Sequence, residues 1–256
     1  MGSAMSRWAS SPSGRLASRF AAVAVVLGTL GAGGCGPSDG TPASRRRPDA
    51  PAPTRPAGSH VFPAAAAPVL DDPSRDAWQR PDDVVAALGI ARGQRLADVG
   101  CGTGYFTTRL LRATGETGHV LAVDVQQEML DLLARRLEPA DRAHVTLRRN
   151  PPDRPLEPTD AVDLVFCANT LYEVSDAMLA RFVQSMADGL APGGRLVVLD
   201  WKPEPMRPGP PLAIRLSAAR IRELTERAGL AFTQDVALLP THLLLVFTKP
   251  TPAPAK

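Results

Sequence analysis

Short apolar runs recur along most of this chain, separated by stretches with helical spacing. Residues 94–99, Val120-Leu121-Ala122-Val123-Asp124, His144–Arg148, Val162–Ala168 and Arg195–Asp200 each read as a strand. Val162–Ala168 is apolar throughout, as expected for a strand covered on both faces. Between the runs the spacing changes to that of helices. Pro81–Leu88 begins with proline and two acids and is followed by Gly89, a helix start and stop. Tyr105–Thr114 forms a second helix, and Gln126–Leu137 a third with Met129, Leu130, Leu133 and Leu137 on one face. Asp176–Leu190 and Ser217–Ala228 complete the set. Phe232–Leu238 and His242–Thr248 are joined by only three residues, which forces an antiparallel pair. Strands alternating with helices and ending in such a hairpin predict an α/β fold: a doubly wound, seven-stranded, mostly parallel sheet with an antiparallel C-terminal hairpin. In that topology the first and fourth strands are neighbours, and a ligand site lies beyond their carboxyl ends.

The first 70 residues lack this pattern. Arg7, Arg15 and Arg19 precede an apolar run from Phe20 to Leu30, too short for a comfortable membrane span, and Ala32-Gly33-Gly34-Cys35 follows. Residues 1–35 therefore read as a signal peptide with a bacterial lipoprotein cleavage box, although the usual leucine three before the cysteine is absent. The expectation is an exported protein anchored to the membrane by lipid on Cys35; the alternative is an uncleaved segment in the cytoplasmic membrane. Residues 36–70, rich in proline and alanine, read as a disordered spacer, 71–250 as the folded domain and 251–256 as a disordered tail. Composition narrows the rest. The formal charge is only +3, three of 29 basic residues are lysine, and aromatics make up 5%, so nothing suggests nucleic-acid binding. Cys35, Cys101 and Cys167 show no metal-ligand spacing.

The chemistry concentrates in Ala97-Asp98-Val99-Gly100-Cys101-Gly102-Thr103-Gly104, a strand, a glycine turn and the start of a helix. Glycines at alternate positions let a ligand reach bare backbone amides. A dinucleotide fingerprint would need a small residue at position 105, where the chain has Tyr105. Asp98 ahead of the glycines suits a ligand carrying an ammonium and a sulfonium, whereas a pyrophosphate would be repelled. Asp124, about 20 residues on, ends the next strand where a ribose diol is commonly held.

On these residues, together with Leu190-Ala191-Pro192-Gly193-Gly194-Arg195-Leu196 and the closing hairpin, the chain from about Trp78 to Lys249 resembles class I S-adenosylmethionine (SAM) methyltransferases. It is most similar to the subgroup holding ubiquinone/menaquinone C-methyltransferases. The resemblance implies SAM as cofactor and a small-molecule methyl acceptor. It implies that Asp98, Gly100, Cys101, Gly102, Thr103 and Gly104 hold the methionine portion, that Asp124 holds the ribose, and that Val125 and Met129 pack near the adenine. The adenine amino group falls to Asn150 or Asp153. Asn169 faces the glycine turn from the fourth strand. Tyr172-Glu173 stands where some relatives carry His-Glu.

Glu173 is then the base for any acceptor that must lose a proton, and Tyr172 an orienter; the bland alternative is that Tyr172 packs and Glu173 caps the following helix. Trp78, Gln79 and Arg80 could form a lid, although Trp78 could equally be core. Arg215 and His242 lie in segments able to reach the site, and Asp200-Trp201 could line its acceptor side. The competing function is a membrane-anchored SAM-fold binding module without turnover.

Overall fold

The computed structural model describes residues 61–207 and 209–252. The signal peptide, the lipoprotein box, residues 36–60 of the spacer and residues 253–256 of the tail lie outside the described residues. Helices α1 (Arg75–Gln79) and α2 (Pro81–Ala87) lead into β1 (Arg95–Val99), α3 (Thr107–Thr114), β2 (His119–Asp124), α4 (Gln127–Arg136) and β3 (Val145–Arg149). Then come β4 (Val162–Ala168), α5 (Asp176–Asp188), β5 (Leu190–Trp201), α6 (Ala218–Arg227), β6 (Ala231–Asp235) and β7 (His242–Thr248).

The seven strands form one sheet of order β3-β2-β1-β4-β5-β7-β6, with β7 antiparallel to both of its neighbours. The doubly wound sheet with its reversed C-terminal strand is the fold that the hydrophobic pattern predicts. Successive strand residues feed opposite layers. Leu96, Val120, Ala122, Leu164 and Phe166 pack under α2, α3 and α4, and Ala97, Val99, Val123, Val165 and Cys167 under α5 and α6. Met129, Leu130 and Leu133 are the buried face of α4, as their spacing requires. Val99 lies beside Cys167, so the ends of β1 and β4 adjoin at the switch point.

Three differences from the sequence reading have physical causes. Ala64–Asp71, assigned mainly to the disordered spacer, forms a 3-10 helix, with Ala67 buried. Its anchors are supplied by distant elements: Arg136 pairs with Asp71 at 2.5 Å and Gln126 Nε2 donates to the Phe62 carbonyl at 2.9 Å. The glycine pair Gly193-Gly194 falls within β5, which already begins at Leu190. Lys249 accounts for this by closing the ladder there: its backbone N–H donates to Gly194 and its carbonyl accepts from Gly193. β6 stops at Asp235, three residues early: Val236 N–H still donates to the Leu244 carbonyl of β7, but Leu238 N–H turns back to the Val236 carbonyl at 2.8 Å.

Candidate active site

Beyond the carboxyl ends of β1, β2 and β4 lies a cavity of about 790 Å³. Its floor is the turn after β1. Gly100, Gly102 and Gly104 all have positive φ, but each serves a different need. A Cβ on Gly100 would run into the Thr170 side chain, and one on Gly104 into Leu133 of α4. Gly102 alone has its empty side open, with Leu70 the nearest neighbour at 3.5 Å. Gly102, Gly100, Cys101 and Thr103 line the cavity. Gly104, predicted to hold the ligand, does not; its missing side chain makes room for helix α4. Cys101 and Cys167 are buried with thiols pushed up by that burial, so neither is a poised nucleophile.

Two acids end neighbouring strands. Asp98 is buried, accepts a hydrogen bond from Thr107 Oγ1 at 2.6 Å, and is pushed up by burial to about 7. Asp124 accepts from the backbone N–H groups of Gly102 and Gln126, both at 2.9 Å, and burial raises it as well. Those amides fix the carboxylate in place while leaving further lone pairs toward the cavity. Val125 and Met129 lie beside it. Asn150 also lines the cavity, but its side chain is bound to the carbonyls of Arg154 and Pro155 and to Arg148 Nε. Asp153 does not line it; its carboxylate turns out to Arg181 at 3.3 Å, so of the two residues expected at the adenine amino group only Asn150 borders the cavity.

The β4 side carries the second chemistry. Asn169, in a left-handed conformation (φ 54°), sends Nδ2 to Gln79 Oε1 at 3.1 Å and accepts from His242 Nε2 at 3.0 Å. Tyr172 and Glu173 occupy a short 3-10 turn, Leu171–Glu173. The Tyr172 hydroxyl donates to Glu173 at 3.1 Å, and the Phe62 backbone N–H also donates to this carboxylate. Burial pushes Glu173 up to about 8, helped by Asp124 and Asp200 and opposed by those two hydrogen bonds. Rather than the start of α5, the Glu173 carboxylate meets the Tyr172 hydroxyl and the Phe62 N–H.

Trp78 and Trp201 line the cavity and stack with His242 behind them, ring centres 4.1–5.9 Å apart. His242 is held neutral, its basicity lowered to about 3 by burial and then by Arg75, Arg215 and Lys202. Arg215 is structural: its guanidinium donates to the carbonyls of Lys202, Glu204, Met206 and Pro210 and so shapes the loop that carries Pro210 and Pro211 to the rim. Sequence reasoning missed Arg75, Phe62 and Leu70, which also line the cavity. The apolar pairs Val61-Phe62 and Val69-Leu70, isolated among alanine and proline, were the available signal. Among the described residues no helix is long and apolar enough to cross a membrane, and no cluster of His, Cys, Asp and Glu could hold a metal.

A glycine turn after β1, an acid ending β2 and a sheet whose seventh strand alone is reversed define a class I methyltransferase fold. The comparisons agree. Residues 96–194 match the family described as a methyltransferase domain. A ubiquinone/menaquinone biosynthesis C-methyltransferase from Vibrio vulnificus is 33% identical over 127 residues, 48% of this chain and 46% of that protein. The chain thus spans about half the length of the curated relatives it matches. A solved SAM-dependent methyltransferase from Aquifex aeolicus superposes with TM-score 0.68 and 28% identity over 73% of this chain and 99% of that one. The [4+2]-cyclase SpnF shares the fold at TM-score 0.56 and 20% identity, covering 68% of this chain and 82% of its own. Fold alone therefore does not name the reaction.

Proposed function

We propose that this chain is a SAM-dependent methyltransferase acting on an apolar small molecule. The observation that carries the reading is a single cavity with a donor half and an acceptor half. The donor half fits SAM: Gly102 leaves backbone open to the ligand, Asp124 is oriented by two amides, and Asp98 is an acid beside the turn that a bound cation would favour in its charged form. When bound, SAM supplies an activated methyl on a cationic sulfur. The acceptor half is walled by Trp78, Trp201, Ile214 and Pro210, which bury an uncharged body and exclude water. Catalysis then rests mainly on placing the acceptor in line with the methyl. A proton carried by the acceptor atom would pass to Glu173, which the Tyr172 hydroxyl orients. Isothermal titration of the full chain with SAM, S-adenosylhomocysteine and NAD tests the reading. Micromolar binding of the first two and none of NAD is expected. Tighter binding of NAD would overturn the assignment of the glycine turn.

A further inference from the structure

Among the described residues, three large apolar side chains stand in water: Val61 at 40% exposure, Val69 at 65% and Leu212 at 46%. They come from segments far apart in sequence, yet all three meet at the mouth of the cavity. Val61 and Val69 line it, and Leu212 sits between Pro211 and Ala213, which line it too. Single apolar residues scattered over a surface need no explanation, but a set gathered on one rim marks an interaction site. The backbone of this rim has little left to offer water. Pro63, Pro151, Pro210 and Pro211 carry no N–H to leave unpaired. Their carbonyls are already taken. Pro63 accepts from the Ala66 N–H at 2.8 Å, and Pro151 and Pro211 accept from those of Arg154 and Ile214, both at 3.2 Å. Pro210 accepts from the Arg215 guanidinium at 2.8 Å. A surface whose backbone polar groups are satisfied internally loses little on leaving water for hydrocarbon.

The chain itself points to the partner. Residues 1–60 join the fold at Val61, on this rim. They carry Arg7, Arg15 and Arg19, the apolar run from Phe20 to Leu30, and Cys35, which read from sequence as a membrane-directing segment. We propose that the rim of the cavity docks on a lipid bilayer, with Val61, Val69 and Leu212 dipping past the headgroups, so that the cavity opens toward lipid rather than water. Three side chains hold a bilayer only weakly by themselves. A second attachment through the N-terminal segment makes the contact stable, as two membrane signals do where one is marginal. The inference concerns a surface and stands apart from the SAM reading above. Where that reading holds, an apolar acceptor dissolved in the bilayer reaches the cavity without crossing water.

The test reads the face rather than the attachment, because the N-terminal run can bring any face of the protein to a vesicle. In the full chain carrying Cys35→Ser, Cys101 and Cys167 are buried, so Val69→Cys takes a polarity-sensitive nitrobenzoxadiazole label. The control label sits at Glu116→Cys, exposed in the turn ahead of β2 and so at the opposite ends of the parallel strands. On titration with phosphatidylcholine vesicles the label at position 69 should brighten severalfold and shift to the blue, and lipid-borne spin labels should quench it. The label at position 116 should do neither. Leu212→Asp added to the Val69→Cys protein should raise the lipid concentration at half-change about tenfold, the scale of one leucine withdrawn from hydrocarbon. Val69, Leu212 and Glu116 are all exposed, so these substitutions leave the core intact. An equal response at both positions, no response at position 69, or a midpoint unmoved by Leu212→Asp overturns the proposal. So does a label at position 69 that is blue-shifted before lipid is added. If that shift is independent of protein concentration, the chain's own apolar run covers the rim; if it grows with concentration, a second copy does. Titration with SAM is a separate readout, and its failure would leave the vesicle result standing.

Discussion

Glu173→Gln should stabilise the protein at alkaline pH and leave it nearly unchanged at pH 5. The side chain keeps its size, and the amide oxygen can still accept from the Tyr172 hydroxyl and the Phe62 N–H. What changes is the ability to ionise. Burial moves Glu173 from 4.5 in the unfolded chain to about 8 in the folded one. Below pH 4.5 both states hold the proton and the substitution costs little. Between 4.5 and 8 the folded state holds the proton that the unfolded state has lost, so wild-type stability falls as pH rises, and above 8 the loss levels off. The full interval corresponds to a ceiling of roughly 5 kcal/mol at about 1.4 kcal/mol per pH unit. Glu173 borders a cavity that water reaches, which reduces the expected gain for Glu173→Gln to about 2–3 kcal/mol at pH 9. Asp98 titrates in both proteins, so the difference between them isolates Glu173. Urea unfolding at pH 5, 7 and 9, followed by fluorescence, reads the effect as a rising difference in midpoint at constant slope. A difference that is flat with pH, or that grows toward acid, would refute the burial argument.

The same variant bears on turnover once an acceptor is found from a screen of phenols, quinones and amines: Glu173→Gln should slow it about 10²-fold and remove a rising limb of kcat/KM near pH 8, with SAM affinity little changed. Gly100→Ala should cost about 2–4 kcal/mol by urea midpoint, because the new methyl meets Thr170 at a φ of 75°. Gly102→Ala should cost about 1 kcal/mol, since its methyl finds Leu70 at 3.5 Å, yet it should weaken S-adenosylhomocysteine markedly in the same titration by filling the open side of the turn. Mass spectrometry of the membrane fraction should find Cys35 as a lipidated N-terminus, as expected from the arginines, the apolar run and the small residues before it; an unmodified N-terminus upstream of Cys35 would sink that idea.

Strands β1 to β5 and β7 were readable because each is a short apolar run bounded by glycine, proline or a charge, and a central parallel sheet demands that composition. Asp98, the glycines and Asp124 were readable because they are local: one turn and one strand end. What sequence could not supply was partnership across the fold. Gly104 looks like its neighbours until Leu133 is placed against it. Asp153 and Asn150 are equivalent as text; only the loop geometry sends one to Arg181 and the other to the cavity rim. His242 could have been a base, but burial among two tryptophans and nearby cations keeps it neutral. The segment 61–71 carries four large apolar residues in a proline- and alanine-rich context, so its ordering depends on Arg136, Gln126 and Glu173, none of which is near in sequence.

The charges of the cavity bear on how donor and product would differ. Asp98, Asp124 and Glu173 are all raised, with burial the first cause in each. Asp124 further raises both of the others. Three acids facing one apolar space repel one another and hold protons that they would release to a cation. On the proposed reading SAM brings that cation at its sulfur, and methyl transfer removes it, leaving a neutral thioether. Glu173, raised to about 8, keeps its proton at neutral pH, so the attraction that favours a cationic donor over a neutral product comes from Asp98 and Asp124, and Glu173→Gln leaves it nearly intact.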